Sequence, residues 1–349
     1  MSIVIRFHRL GGPEVLQIEE RDLPCPGPGE VLLKIDAIGL NRADAMYRTG
    51  QYLQHATLPS MLGFEAAATV LSCGPGAARF APGDEVGVVP GFELGGYGTY
   101  AEHAVLPESC LLRQPTGITT PQAAALWMAY LTAYGGLIEA GKLQAGDFVA
   151  ITAASSSVGL AAIQTARQYG ARPIALTLGS AKRRALVEAG AEEVIATTEE
   201  VLSERLLTLT GGAGVRCVFD AVGGHQTAAL AQCMARYGVL VVHGALSTEA
   251  THFPVKLALR NSLSFRGFVY TEITSNAAAL ARAHASIAAG IHAGVLSPVI
   301  DRIFNLSEVV QAHHYLESNQ QFGKIVMTTE DLTATPPSRR LALVGGRQT

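Results

Sequence analysis

Charge is scarce in this chain: Asp, Glu, Lys and Arg make up 16% of its 349 residues, and the formal balance is −3. A near-neutral chain without a basic stripe has no electrostatic footprint for nucleic acid or an anionic membrane surface. Cysteines are few and scattered: Cys25, Cys73, Cys110, Cys217 and Cys233 include no Cys-x-x-Cys pair. That pattern speaks against a structural zinc cluster and reads as reduced thiols in a cytosol-like compartment. Long apolar runs are missing too. The most apolar stretch, Ala123 to Ile138, falls short of the ~20 residues of a bilayer span and contains Gly135-Gly136, so it reads as a buried core helix. The opening MSIVIRFHRLGGPE lacks the apolar core and small-residue cleavage site of a secretory signal. The expectation is a soluble, cytoplasmic protein with no membrane or nucleic-acid partner.

What is present is a large apolar fraction (48%) on a chain long enough for two domains. Before about residue 120, short β-rich runs (Val31–Ile35, Ala67–Leu71, Glu85–Val89) alternate with turns such as Pro28-Gly29 and Pro82-Gly83, the texture of a compact β-barrel-like domain. After Pro121 strands and helices alternate. Strand Phe148–Thr152 leads into a helix lined by Val158, Ala162, Ala166 and Tyr169. Strands follow at Ile174–Leu176, Val194–Ile195, Val215–Phe219 and Val239–His243, which predicts βαβ crossovers and a doubly wound parallel sheet. The expected division is 1–122 for the first part of the β-rich domain and 123–268 for the α/β domain. Residues 269–330 then return to the first domain, and 331–349 form a tail.

The turn after strand Phe148–Thr152 reads Ala153-Ala154-Ser155-Ser156-Ser157-Val158-Gly159. Dinucleotide-binding turns use three glycines, and here Ala154, Ser156 and Gly159 stand in those places. Serine N–H groups and hydroxyls at a helix N-terminus can still hold phosphate, although a polar turn capping a helix would look the same. Other strand ends carry Val222 and Gly244-Ala245-Leu246, where α/β sheets bind ligands. At the end of the second strand an NAD site would place an acid for the ribose, yet none occurs between Ala171 and Val187. Ser180, Lys182 and Arg183 offer a hydroxyl and cations for a 2′-phosphate instead, which favours NADPH; the alternative is an N-cap beside a solvated basic face.

From about Arg6 to Thr328 the chain resembles the medium-chain dehydrogenase/reductase superfamily, and within it the zinc-independent quinone oxidoreductase (zeta-crystallin-like) group. The resemblance rests on Asn41-Arg-Ala-Asp44, Arg48-Thr-Gly50-Gln-Tyr52, Gly63-Phe-Glu65, Pro82-Gly-Asp84, Gly98–Glu102, Thr132–Gly135, Ala153–Gly159 and Asn319–Lys324. It implies an α/β architecture of a GroES-like β-barrel catalytic domain and a Rossmann domain, with the active site between them, and a homodimer. Zinc alcohol dehydrogenases of the superfamily hold metal with Cys, His and Cys. Asn41, Phe64 and Met128 align with those positions and supply neither thiolate nor imidazole, so no metal is expected.

Without a Lewis acid, the acceptor must already be electrophilic at carbon: a small apolar quinone or α,β-unsaturated carbonyl compound. The resemblance makes Tyr52 the expected proton donor, Asn41 an orienting amide, and Tyr47 a further catalytic candidate. It adds Thr132, Phe268 and Lys324 to the cofactor-binding set of Ala154 through Gly159, Ser180, Lys182, Arg183, Val222, Gly244, Ala245 and Leu246. A pathway-specific enoyl-thioester or enone reductase is the alternative enzyme reading; a non-catalytic NADPH-binding protein and a zinc alcohol dehydrogenase are disfavoured.

Overall fold

The computed structural model describes residues 1–329, and the tail expected at 331–349 lies outside them. Apolar–polar alternation sets the first domain. In strand Glu30–Gly39, Val31, Leu33 and Ile35 are fully buried, and the strand bends at two register shifts as it pairs with Ala66–Cys73. The sheet runs Ile300–Asn305, Lys324–Thr328, Glu30–Gly39, Ala66–Cys73, Glu85–Val88, Leu111–Arg113, and His103–Pro107 also pairs with Glu30–Gly39. A smaller sheet joins the hairpin Ser2–Phe7 and Leu16–Arg21 to Ser60–Met61.

The second domain is a six-stranded sheet ordered Glu193–Ala196, Arg172–Thr177, Phe148–Ile151, Val215–Asp220, Met234–Val242, Ser264–Gly267, all parallel. That is the doubly wound order whose reversal point lies beside the first strand, Phe148–Ile151. The four residues of that strand are buried or nearly so, as a strand covered by helices on both faces must be. Its helix, Ser157–Gln168, buries Leu160, Ala161, Ala162, Ile163 and Ala166 against the sheet and the helix Trp127–Tyr134.

The segment expected to return to the first domain from residue 269 touches both cores. Helix Ala277–His292 inserts Ala279, Leu280, Ala283, Ile287 and Ile291 into the core shared with Ile151, Leu160 and Phe219. Tyr270 touches the first domain's core at Phe64, and from strand Ile300–Asn305 onward the chain joins that core continuously, through Leu306, Val309, Ala312, Ile325 and Met327. The small alanine face of that helix packs against Trp127–Tyr134, which composition alone did not reveal.

Candidate active site

Tyr52 follows the helix Arg42–Arg48 and lies half-buried with its ring edge-on to Phe64, 5.5 Å between centroids. Its hydroxyl is 3.3 Å from that of Tyr270, on the segment that follows the last strand of the parallel sheet. Tyr270 also meets Phe64 edge-on, at 6.2 Å, so two phenols from opposite domains share one apolar floor. Burial pushes the Tyr52 phenol above its ordinary range, partly offset by the Tyr270 hydrogen bond; burial pushes Tyr270 up further. Both stay protonated at neutral pH. Among the described residues no group of three His, Cys, Asp or Glu side chains could hold a metal ion.

Two expected catalytic residues serve other ends. Tyr47 is fully buried, bonds Ser60 Oγ through its hydroxyl at 3.0 Å, and packs edge-on between Phe7 and Tyr52. Its ring supports that of Tyr52, and its hydroxyl is spent on Ser60. Asn41 caps the helix Arg42–Arg48, and its amide is fully committed: Nδ2 donates to Gly39 O and Glu65 Oε1, both at 3.1 Å, while Oδ1 accepts from Lys324 Nζ at 2.7 Å. Lys324, expected at the cofactor, is only 2% exposed and pairs with the fully buried Glu65. A buried ammonium needs a buried carboxylate, and Glu65 supplies it. Glu65 in turn accepts from Met128 N at 2.9 Å, fixing the start of the helix Trp127–Tyr134. Asp44 accepts from Asn41 N and Gly63 N; desolvation still raises its carboxyl to about 7. Gly63 has φ +102°, and a Cβ there would meet Thr99 Oγ1 at 2.2 Å, so the turn carrying Phe64 requires glycine.

At the strand–helix turn, Ser156 Oγ accepts from Gly159 N at 3.0 Å and caps the helix Ser157–Gln168. A Cβ on Gly159 would stand 2.6 Å from both Ala153 O and Ala154 O, backbone atoms that cannot move aside. This is the close helix–strand approach that a pyrophosphate-binding turn needs. Ala153 itself is held at φ +46°, a strained conformation for a residue with a Cβ. Ala154 has its methyl in the core and its N–H on Leu176 O, so it shapes the turn from behind. Ser155 Oγ accepts from Lys182 Nζ at 3.2 Å, and that ammonium also donates to Gln321 O at 2.8 Å. Ser157 and Lys324 border a small cavity of about 10 Å³ beside Tyr130.

Lys182 therefore bridges the Ala153–Gly159 turn, the second-strand end and the segment around Gln321. Arg183 does not join it: its guanidinium bonds Val194 O and pairs with Glu200, an acid from beyond the third strand. Ser180 is likewise taken, its N–H and hydroxyl on Glu199 Oε1 at 2.8 and 3.1 Å. Those bonds hold the Glu199 carboxyl below its usual range, so an ionised acid does stand at this strand end. It comes from the neighbouring strand, which is why the stretch 171–187 does not reveal it.

The remaining strand ends form one rim. Asp220 is fully buried, with its carboxylate accepting from Thr152 Oγ1, Val222 N and Gly223 N. Leu246 N and Ser247 N donate to Ala221 O and Val222 O, tying the loop after Met234–Val242 to its neighbour, with Ala245 and Leu246 exposed. His243 stacks on Phe219 at 3.9 Å and desolvation lowers it to about 3, so it is neutral. Two expected contacts turn inward. Thr132 Oγ1 donates to Met128 O at 2.6 Å within its helix, and the Phe268 ring is buried against Gly135. Phe268 can offer a ligand only its backbone. A larger cavity, about 630 Å³, opens on the β-rich domain beside Arg6, Arg21, Tyr97 and His103, and no expected site residue lines it.

Residues 27–116 match the family described as alcohol dehydrogenase GroES-like domain, and residues 157–285 match the family described as zinc-binding dehydrogenase. The chain is 35% identical over 333 residues to a quinone oxidoreductase of Pseudomonas aeruginosa, covering 94% of this chain and 99% of that one. It is 29% identical over 335 residues to a 2-haloacrylate reductase of Burkholderia sp, with the same coverage. The crystal structure of Escherichia coli quinone oxidoreductase complexed with NADPH superimposes with a TM-score of 0.87 at 30% identity, over 94% of this chain and 100% of that chain.

Proposed function

Because the chain belongs to the medium-chain dehydrogenase/reductase superfamily, in its quinone oxidoreductase group, we propose that it reduces quinones or α,β-unsaturated carbonyl compounds with NADPH. As a member of that group it is an oxidoreductase; the acceptor and the cofactor form are the proposal. The observation that carries it is a protonated phenol, Tyr52, above Phe64, where the zinc-dependent relatives need an imidazole. An acceptor lying there meets an apolar wall and a proton donor, which suits a carbon already made electrophilic by conjugation. The relative named 2-haloacrylate reductase acts on an activated alkene, and this supports the enone arm of the reading.

The turn residues fit a dinucleotide. Gly159 gives the close backbone approach, Ser156 organises the helix N-terminus, and Lys182 is the cation of the expected set left for a 2′-phosphate, Ser180 and Arg183 being held by Glu199 and Glu200. When bound, the reduced nicotinamide supplies two electrons and a hydrogen to the acceptor carbon. Tyr52 then gives its proton to the acceptor oxygen as negative charge develops there. Phe64 and Met128 keep the pocket apolar, and the Glu65–Lys324–Asn41 cluster fixes the turns beneath it.

Steady-state rates for benzoquinones, 2-alkenals and enoyl-CoA esters with NADPH and NADH test the reading; no turnover with any pair would overturn it. Lys182→Ala should raise Kd for NADPH about tenfold, the worth of one charge-assisted hydrogen bond, and change that for NADH less. Equal losses for both cofactors would remove Lys182 from 2′-phosphate recognition. A homodimer belongs to the same reading, since Ser264–Gly267 is an open edge flanked by exposed Phe253, Val255 and Leu259. Sedimentation of a monomer at micromolar concentration would refute it.

A further inference from the structure

We propose that Tyr270 is a positioning residue for Tyr52: its O–H holds the Tyr52 oxygen at the acceptor and donates to the phenolate that forms when Tyr52 gives up its proton. The inference rests on the reading of Tyr52 as proton donor. It begins from a contact that crosses the two domains, the 3.3 Å approach of the two hydroxyls over Phe64.

Tyr270 is well placed to hold a position. It lies two residues after Phe268, whose ring is locked in the core and whose N–H donates to Val242 O at 2.8 Å. Three residues further on, Ile273 is buried in the same core and its N–H returns to Tyr270 O at 2.9 Å. The backbone that carries the phenol is thus pinned on both sides. Tyr52 stands on a loop, steadied by the Tyr47 ring at 6.5 Å and the Phe64 ring. Of the two, Tyr270 is the better anchored.

Two neutral phenols in contact share one hydrogen, so one O–H remains to serve an acceptor. The phenol that accepts a hydrogen bond becomes the better donor through its own O–H. Burial holds Tyr270 protonated more strongly than Tyr52, so Tyr270 remains a donor whenever Tyr52 ionises. Tyr47 and Asp44, both from the helix Arg42–Arg48, also bear on Tyr52, and an Asp44 charge opposes its ionisation. Tyr270 is the group on this side of the balance that favours it.

In the step itself, the acceptor carbon gains a hydrogen with two electrons and the acceptor oxygen becomes anionic. The Tyr52 O–H bond breaks and its proton passes to that oxygen. A phenolate remains on Tyr52, stabilised by the Tyr270 O–H, and solvent returns the proton before the next turnover.

The test uses Tyr270→Phe, which keeps the ring on Phe64 and removes only the hydroxyl. With the full-length enzyme, kcat for a 2-alkenal should fall about tenfold while Kd for NADPH stays unchanged. A second readout is independent of activity. With 3-nitrotyrosine installed at position 52, its ionisation midpoint should rise when Tyr270→Phe is added, read by absorbance on the enzyme without cofactor. An unchanged midpoint, or an unchanged kcat, would overturn the proposal. If the parent enzyme reduces no acceptor, the functional reading fails on its own, and the midpoint alone still decides whether Tyr270 acts on Tyr52.

Discussion

Tyr52→Phe is expected to lower kcat for 2-alkenals by about a hundredfold, the low end of what a positioned general acid contributes, with Kd for NADPH unchanged. The phenylalanine ring keeps the edge-on contacts with Phe64 and Tyr47, so the pocket wall survives and only the proton donor is lost. Water can enter in place of the hydroxyl, which is why the low end is the expectation. The pH profile carries a second signature. With Tyr52 as the proposed acid, the wild-type rate should fall as pH rises through its pKa, and burial moves that fall above the ordinary phenol value of about 10. In Tyr52→Phe this alkaline fall should vanish together with most of the rate. A variant that keeps both the rate and the alkaline limb would remove Tyr52 from the chemistry.

Periodicity made the framework of both domains readable. The strands at Phe148, Ile174, Val194 and Val215, and the helix ending near Gly170, stand within a residue or two of their expected bounds. Short apolar runs bounded by Gly and Pro leave little room for another reading. The edge strand Ser264–Gly267 was not legible, because Ser-Phe-Arg-Gly has no alternating face and is mostly exposed. Within the candidate site, Tyr52, Ser156 and Gly159 could be singled out in the sequence because each occupies a turn with a fixed geometric demand. Tyr270 carries no motif; what brings it to the candidate site is a contact 218 residues away in sequence. The same limit applies to Glu199 and Glu200, which meet Ser180 and Arg183 only once two neighbouring strands are aligned. A local search for an acid after the second strand cannot see an acid after the third.

Lys324 shows the converse, a residue whose identity was read from a motif and whose work is set by burial. Lys324→Met is expected to destabilise the protein by about 3–5 kcal/mol, the usual penalty for removing one partner of a buried ion pair. The carboxylate left behind, Glu65, is fully buried and would keep only the Asn41 amide and Met128 N–H as donors. Neither supplies the missing charge. The loss should appear as a lower denaturant midpoint with the slope unchanged. Adding Glu65→Gln should recover part of it, because a neutral amide can accept from Met128 N without a counter-charge, and the recovered fraction measures the coupling. At a temperature where the variant is folded, its Kd for NADPH should match that of the parent, since the ammonium touches Asn41 and Glu65 rather than the phosphate turn. A variant of undiminished stability with weakened NADPH binding would return Lys324 to the cofactor site and leave the buried pair without consequence.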